Sequence, residues 1–502
     1  MTAATYLGAD VGSTSTKVTA FDADGKMLAS DSVEYPISRP ESGFAEQDAR
    51  QWWAALQTAV ATISDQVPLA GVGAMGVVSQ VDTHTLLDEH LDPLLPALLW
   101  QDIRAAPQAD ALNERLGTSG LVETWGGPDP VDASSPVPRA IWLAEHRAQL
   151  WTRGRWLVLP KDYVNARLTG VVASDPLSSF KVVGTDGDYL PAAIALAPGL
   201  DERLAPLRRP EDAVGELQQS LASVPAGIPV ATATMDAFGN LIGSGLDSPG
   251  DTMITLGTSA IVGMVGMGGT TGPGVVDFSP YRGRQVHAGP TQSGGDALRW
   301  WCRLTGREPA DVLAAAATAA AGSGGVVFAP HLLGERAPLW DSVVRGWFIG
   351  LDASTGFPEA SRAVLEGVAF SVRQLLDAVE VAGGTPARRI VLSGGGSRND
   401  VWCQILADIL GRSVQRSRDV DTAVLGAAAL AASCLTDADP WIAGVRLAGT
   451  DASFEPEPST ERTYAALYDA YRSSYDGLRT TQQRLQEGRS AGQPGPRTPG
   501  RN

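Results

Sequence analysis

The sequence is short of the residues and runs that several function classes need. Of its 502 residues only three are cysteine, Cys302, Cys403 and Cys434. They lie far apart and outside any CxxC or Cys/His spacing. That excludes a disulfide framework and a thiolate metal site, and reads as small buried hydrophobes in a reducing compartment. Positive charge is scarce: 39 Lys and Arg face 56 Asp and Glu, a formal net charge of −17. Nucleic-acid binding asks for a basic face, so no nucleic-acid partner is expected. No GxxxxGK[ST] phosphate loop occurs, and the glycine-rich run SGGGSRND is not a GxGxxG dinucleotide fingerprint. The longest near-apolar runs, such as 423–435, are too short to span a bilayer, so no membrane partner is expected. The N-terminus lacks the basic-then-apolar pattern of a signal peptide. A cytoplasmic location is the expectation.

What is present is an ordinary globular composition, 44% hydrophobic, over a length that exceeds what one core usually serves. Two domains follow. The first opens with a strand over 6–10, a Gly/Ser/Thr turn and a strand over 17–21. Asp24-Gly25 then signals a hairpin into a third strand at Met27. An amphipathic helix is expected over 48–63, with Trp52, Leu56, Ala59, Val60 and Ile63 on one face. Strands are expected at 71–78, 85–88 and 157–159, with a helix over 162–168. Near residue 250 the opening theme repeats: strand 252–256, the turn Gly257-Thr258-Ser259, and strand 260–265. Two such units about one domain apart read as an ancient duplication. Helices follow over 362–381 and 400–410, separated by a strand at 389–392. Tyr464, Leu467, Tyr471, Tyr475 and Leu478 fall at helical spacing.

Five places can carry chemistry. In GADVGSTSTK, Asp10 ends a strand. Ser13, Thr14 and Ser15 form a turn whose hydroxyls and N–H groups suit phosphate. Asp10 suits a hydrated Mg²⁺, and Lys17 suits phosphate charge. A plain polar hairpin is the alternative. Gly257-Thr258-Ser259 is a second small-residue turn of the same kind. In SGGGSRND, Gly395 lies in a run that permits close approach to a flat base, and Asn399 starts the next helix as a cap. Asp236 follows an apolar strand and precedes a small-residue helix. It reads either as a general base or as that helix's N-cap. Gln80 and Asp82, then Trp100-Gln101-Asp102 with Arg104, offer hydrogen-bond partners and an apolar wall for a sugar. An Asp102–Arg104 salt bridge in a loop is the alternative.

Nine strings in order resemble the FGGY family of carbohydrate kinases over roughly residues 5–480. They are GADVGSTSTK, EQDARQWW, LLWQDIR, LPKDYVNARLTG, ITLGTSA, LLGERAPLWDSVVRGWFIGL, VLEGVAFSVRQLLDAV, SGGGSRNDVWCQILADILG and the helix around VLGAAALAA. The resemblance implies an α/β fold of two actin-like, ribonuclease-H-like domains with a central cleft. The N-terminal sugar-binding domain is expected over 1–246 and the nucleotide-binding domain over 247–440. A helical segment packed on the core is expected over 441–487, and a disordered tail over 488–502. ATP and Mg²⁺ are the implied cofactors, a small sugar or polyol the implied partner, and a homodimer an assembly common among relatives.

Site residues carry over in the same way. Asp10 matches the metal-associated acid. Ser13, Thr14, Ser15 and Lys17 match the first phosphate loop, and Gly257 and Thr258 the second. Gly295 and Arg299 line the nucleotide, Gly395 and Asn399 match the adenosine loop, and Asp236 matches the catalytic base. Gln80, Val81, Asp82, Gln101 and Asp102 fall in the sugar-binding region. The chain departs from the pattern in two places. Thr232-Ala233-Thr234-Met235 stands where the family often has glycines, and Val81-Asp82 where most xylulose kinases have Met-His. The resemblance implies a pentulose kinase. Asp82 keeps open a four- or five-carbon polyol, since a carboxylate grips neighbouring hydroxyls, and the acidic candidates disfavour gluconate. A non-catalytic sugar sensor is the alternative from another class.

Overall fold

The computed structural model of the protein describes residues 5–127, 130–268 and 274–491. Six strands form the first sheet: β1 (Thr5–Val11), β2 (Ser15–Phe21), β3 (Met27–Glu34), β4 (Val72–Ser79), β5 (Ala213–Glu216) and β6 (Pro229–Ala231). Their order is β3-β2-β1-β4-β6-β5. β1, β4 and β6 run parallel, and β2, β3 and β5 antiparallel to their neighbours. The interior strand β4, VGAMGVVS, is buried almost throughout, as a strand covered on both faces must be. The hairpin at Asp24-Gly25 forms with Gly25 at φ 75°. The helix Ala49–Ser64 is capped by the Asp48 side chain, which accepts from Arg50 N, and it buries all five of the expected apolar residues.

The second sheet has seven strands: β7 (Asp251–Leu256), β8 (Ala260–Gly266), β9 (Val276–Asp277), β10 (Gln285–Pro290), β11 (Arg389–Ser393), β12 (Val414–Ser417) and β13 (Thr450–Phe454). Their order is β9-β10-β8-β7-β11-β12-β13. Parallel pairing joins β7, β11 and β12, and the other pairs are antiparallel. Five strands of each sheet therefore share one order and one set of directions, β3-β2-β1-β4-β6 in the first and β10-β8-β7-β11-β12 in the second. The repeated strand–turn–strand theme in the sequence reaches this far into the fold. The long helix Phe357–Gly383 covers the second sheet, and its Phe370 stacks among Tyr464, Tyr468 and Tyr471 of the terminal helix Glu461–Ala491.

The compact units do not follow a linear division. One comprises the residues up to Asp247, Phe278–Gly283 and Asp421–Gly449; the other comprises Ser248–Asp277, Arg284–Val420 and the chain from Thr450. The helix Thr422–Thr436 thus belongs with the first sheet, where it packs on β1, β4 and the helix Asp236–Gly243. Glycines allow that approach. A Cβ at Gly426 would fall inside contact distance of Gly239 O, and one at Gly8 inside that of Val424 O. The segment 441–487, expected as helical, carries β13 before the terminal helix Glu461–Ala491. The tail expected to be disordered from 488 is helical to Ala491, and 492–502 lie outside the described residues.

Candidate active site

In the first unit, the carboxyl ends of the parallel strands bring the acids together. Asp10 lies near the end of β1, opposite Lys17 of β2 and Val78 of β4. Past β4, Gln80 N donates to Val11 O and Gln80 Nε2 to Gly12 O. Ser79 bridges Met235 in parallel, which sets Gln80–Asp82 alongside Asp236. This edge is where ligands bind in open α/β sheets. Gly12 N donates to Ser15 O and closes a tight turn through Ser13 and Thr14, with Ser15 and Lys17 on β2.

Burial decides the electrostatics. Asp10 has one oxygen, Oδ1, buried without a partner among the described residues. Its carboxyl is pushed well above the usual range by burial, then by Asp236 and Asp421, with Lys17 opposing. Asp236 is pushed up to about 6 by burial and by Asp82, opposed by the N–H of Ala237. Asp236 is not the helix N-cap. That place belongs to Met235, and Asp236 is the first helical residue, with Oδ1 accepting from Ala237 N at 2.7 Å. Its carboxylate is otherwise free to serve a ligand.

Among the described residues no group of three or more His, Cys, Asp or Glu could hold a metal alone. The orphaned oxygen of Asp10 instead suits a hydrated Mg²⁺, which takes one carboxylate and completes its shell with water and phosphate oxygens.

Asp421 was not singled out in the sequence, although it stands directly before the near-apolar run 423–435. It opens the helix Thr422–Thr436 without capping it through its side chain and forms an ion pair with Lys17. Lys17 thus shares its charge between the turn and Asp421.

The backbone leading to Asp236 is clamped from below. Ala233 takes φ 54°, the left-handed region where the family often has glycine. Asn165 Nδ2 donates to Thr232 O at 3.0 Å, and Thr234 Oγ1 donates to Asp175 Oδ2 at 2.9 Å. The fully buried Lys161 pairs with Asp162 Oδ1 at 2.6 Å and Asp175 Oδ1 at 2.9 Å. A charged Lys-Asp inside the apolar string LVLPKDYV was the sequence signal for this group.

The second part of the expected sugar region divides. Asp102 is 1% exposed. Its Oδ1 accepts from Arg104 N and Nε, and its Oδ2 from Ala45 N and Arg104 Nη2. Arg104 also reaches Glu46 and lies over the ring of Phe44. With all four acceptor directions filled, Asp102 has nothing left for a hydroxyl. The salt bridge is its structure, and its expected substrate contact is withdrawn. Gln101 accepts from Arg39. Val81 is half-buried beside Asp82 and offers only apolar surface. Asp82 takes φ 53° and pairs with Lys181 at 2.9 Å.

In the second unit, three loops converge at the matching sheet edge. Gly295 N donates to Gly257 O at 2.8 Å, and Gly294 N to Thr258 O at 2.9 Å. Arg299 Nη2 donates to Thr258 Oγ1 at 2.7 Å and pairs with Asp296. The helix Gly295–Thr305 starts at this point. After β11, Gly395 lies in a 3₁₀ turn with open space where a Cβ would stand. Asn399 caps the helix Asp400–Leu410 by accepting from Trp402 N at 3.0 Å. The N–H groups of Gly294, Gly295 and Asp296 are spent on Gly257 O and Thr258 O, so what this edge offers a phosphate is the exposed Arg299 side chain and close approach to the open backbone at Gly395.

Two family models match the chain in order. The model of the FGGY family of carbohydrate kinases, N-terminal domain, matches residues 5–243, and that of the C-terminal domain matches 252–435. A xylulose kinase of Lactococcus lactis is 29% identical over 93% of this chain and 96% of its own length. A gluconokinase of Bacillus subtilis is 27% identical over 92% of this chain and 93% of its own. Among solved structures, that of a xyloylose kinase from Brucella ovis superposes with a TM-score of 0.87 at 28% identity, covering 95% of this chain and all of the other. Both units thus have the actin-like, ribonuclease-H-like fold of these kinases. No helix among the described residues is long and apolar enough to cross a membrane.

Proposed function

The chain belongs to the FGGY family of carbohydrate kinases, and on that premise we propose that it phosphorylates a pentulose of the xylulose type with Mg·ATP. It is a sugar kinase, a phosphotransferase with an alcohol group as acceptor. The observation that carries the proposal is the pairing of two half-buried acids, Asp10 and Asp236, at one sheet edge with Asp82 beside them.

The chemistry follows from those environments. Asp236 accepts the proton of a terminal primary hydroxyl as its oxygen attacks the γ-phosphorus in line. A base raised to about 6 is ionised at neutral pH yet basic enough to take that proton. Mg²⁺, when bound, offsets phosphate charge, and Asp10 is the residue that would hold it through water. Ser13, Thr14 and Ser15 offer donors to the transferring phosphoryl. Gly257, Thr258, Gly295 and Arg299 are proposed for the remaining phosphates, and Gly395 and Asn399 for the adenosine.

Xylulose kinases matching along nearly the whole chain support the pentulose. Asp82 supports a second reading, an alditol of four or five carbons, because its carboxylate can accept from neighbouring hydroxyls.

The test is ADP release with Mg²⁺ and ATP over D- and L-pentuloses, tetritols, pentitols, glycerol and gluconate. Turnover concentrated on one ketopentose is expected. Turnover confined to an alditol would move the assignment to the second reading, and turnover of none would overturn both.

A further inference from the structure

The environment of Asp82 goes further than the choice between ketose and alditol. Asp82 is held from two sides. Its carbonyl accepts from Arg139 Nη1 at 2.6 Å, and Arg139 is fully buried, with further bonds to Leu98 O and Leu99 O. Its Oδ2 pairs with Lys181 Nζ at 2.9 Å. The same ammonium bonds Asp132 Oδ2 at 2.7 Å and Ser134 Oγ at 2.7 Å, so all three of its protons are committed. Burial works against the charge on Lys181, but Asp82 and Asp132 hold it ionised. Asp82 Oδ1 has no partner among the described residues, and Asp82 is close enough to Asp236 to raise it.

We infer that Lys181 is a positioning residue for acceptor specificity. It occupies one oxygen of Asp82 and fixes the other as a hydrogen-bond acceptor beside Asp236. Asp82 and Asp132 are offset by Lys181 and, behind the carbonyl of Asp82, by Arg139, so the negative charge that a substrate meets is the free Oδ1 of Asp82 together with Asp236. Such a wall accepts hydrogen bonds from the hydroxyls of an uncharged polyhydroxy substrate and repels an aldonate. The charge of Lys181 is not available to a substrate carboxylate, because its donors are already used. The inference rests on the sugar-kinase site proposed above and narrows its acceptors to neutral ones, ketose or alditol.

The experiment is steady-state kinetics of the wild type and of Lys181→Met, Lys181→Arg and Asp82→Asn. The acceptors are the best neutral one and gluconate. Without Lys181 to orient it, Asp82 loses its geometry. Lys181→Met is expected to raise KM for the neutral acceptor about tenfold or more, with kcat changed by less than about threefold. Lys181→Arg should recover part of the loss. Asp82→Asn removes the negative charge and should raise the ratio of gluconate to neutral-acceptor kcat/KM about tenfold. A merely structural lysine would lower the thermal midpoint of Lys181→Met and leave KM unchanged below it, and that result overturns the inference. Wild-type preference for gluconate overturns it as well. Turnover of an alditol alone would end the pentulose assignment and leave the role of Lys181 standing.

Discussion

Asp236→Asn is expected to lower kcat by about a thousandfold while the fold becomes more stable. The size follows from the role, since a positioned general base contributes about 10²–10⁴. Asparagine keeps the shape and can still accept from Ala237 N, but it cannot take a proton. The stability change follows from the burial of Asp236. Its folded-state pKa, about 6, lies above the ordinary carboxylate value of 3.8. The folded chain therefore holds that proton more tightly than the unfolded chain does, and it loses stability as pH rises from about 4 to about 6. At neutral pH the full penalty is in force, and the neutral amide removes it. The measurement pairs single-turnover ADP release with a thermal midpoint at pH 7. Loss of turnover with a raised midpoint separates a catalytic role from unfolding. Turnover equal to wild type would mean that another group takes the proton, or that the chain binds sugar without acting on it.

Lys161→Met is expected to destabilise the first unit by about 3–5 kcal/mol, the usual cost of removing one partner from a buried ion group. Lys161 is fully buried and carries the only ammonium on Asp162 and Asp175 among the described residues. The methionine would leave two carboxylates without a counter-charge in a site that water does not reach. Asp175 also holds Thr234, two residues before Asp236, so the damage should reach the loop with Ala233 at φ 54°. Urea unfolding followed by tryptophan fluorescence reads the effect as a lower midpoint. A midpoint within about 0.5 kcal/mol of wild type would show that the carboxylates protonate or find other partners at little cost.

The sequence displayed most of what a strand order or a periodicity can encode. The Asp24-Gly25 hairpin, the capped helix after Asp48, and the two strand–turn–strand openings are local, and each stands in the fold. The division of the chain was less legible. The helix Thr422–Thr436 joins the first sheet through glycine approaches that pair residues some 190 to 420 positions apart, and no local pattern reports them. The site shows the same contrast. Asp10 and Asp236 are visible because acids at strand ends are unusual among apolar residues. Asp102 looked equally available, and only the neighbouring Arg104 folding back on it shows that it is saturated. Asp421 and Lys181 acquire meaning only from partners distant in the chain, Lys17 for one and Asp82 for the other. The position before the base is the opposite case. Ala233 adopts a backbone conformation suited to glycine because Asn165, Asp175 and the backbone at Pro210 and Asp212 hold the loop around it.

The most direct test of the account is the pH dependence of kcat/KM for the preferred acceptor, which reports the ionisation of the free enzyme. Asp236 must be ionised to accept the hydroxyl proton. Activity should therefore hold on the alkaline side of about 6 and fall about tenfold per pH unit below it. Because Asp10 lies close enough to be raised by Asp236, the inflection belongs to the two acids together. An acid limb near pH 6 that disappears in Asp236→Asn is the predicted result. A profile flat down to pH 4.5 would contradict the assignment of Asp236 as the base.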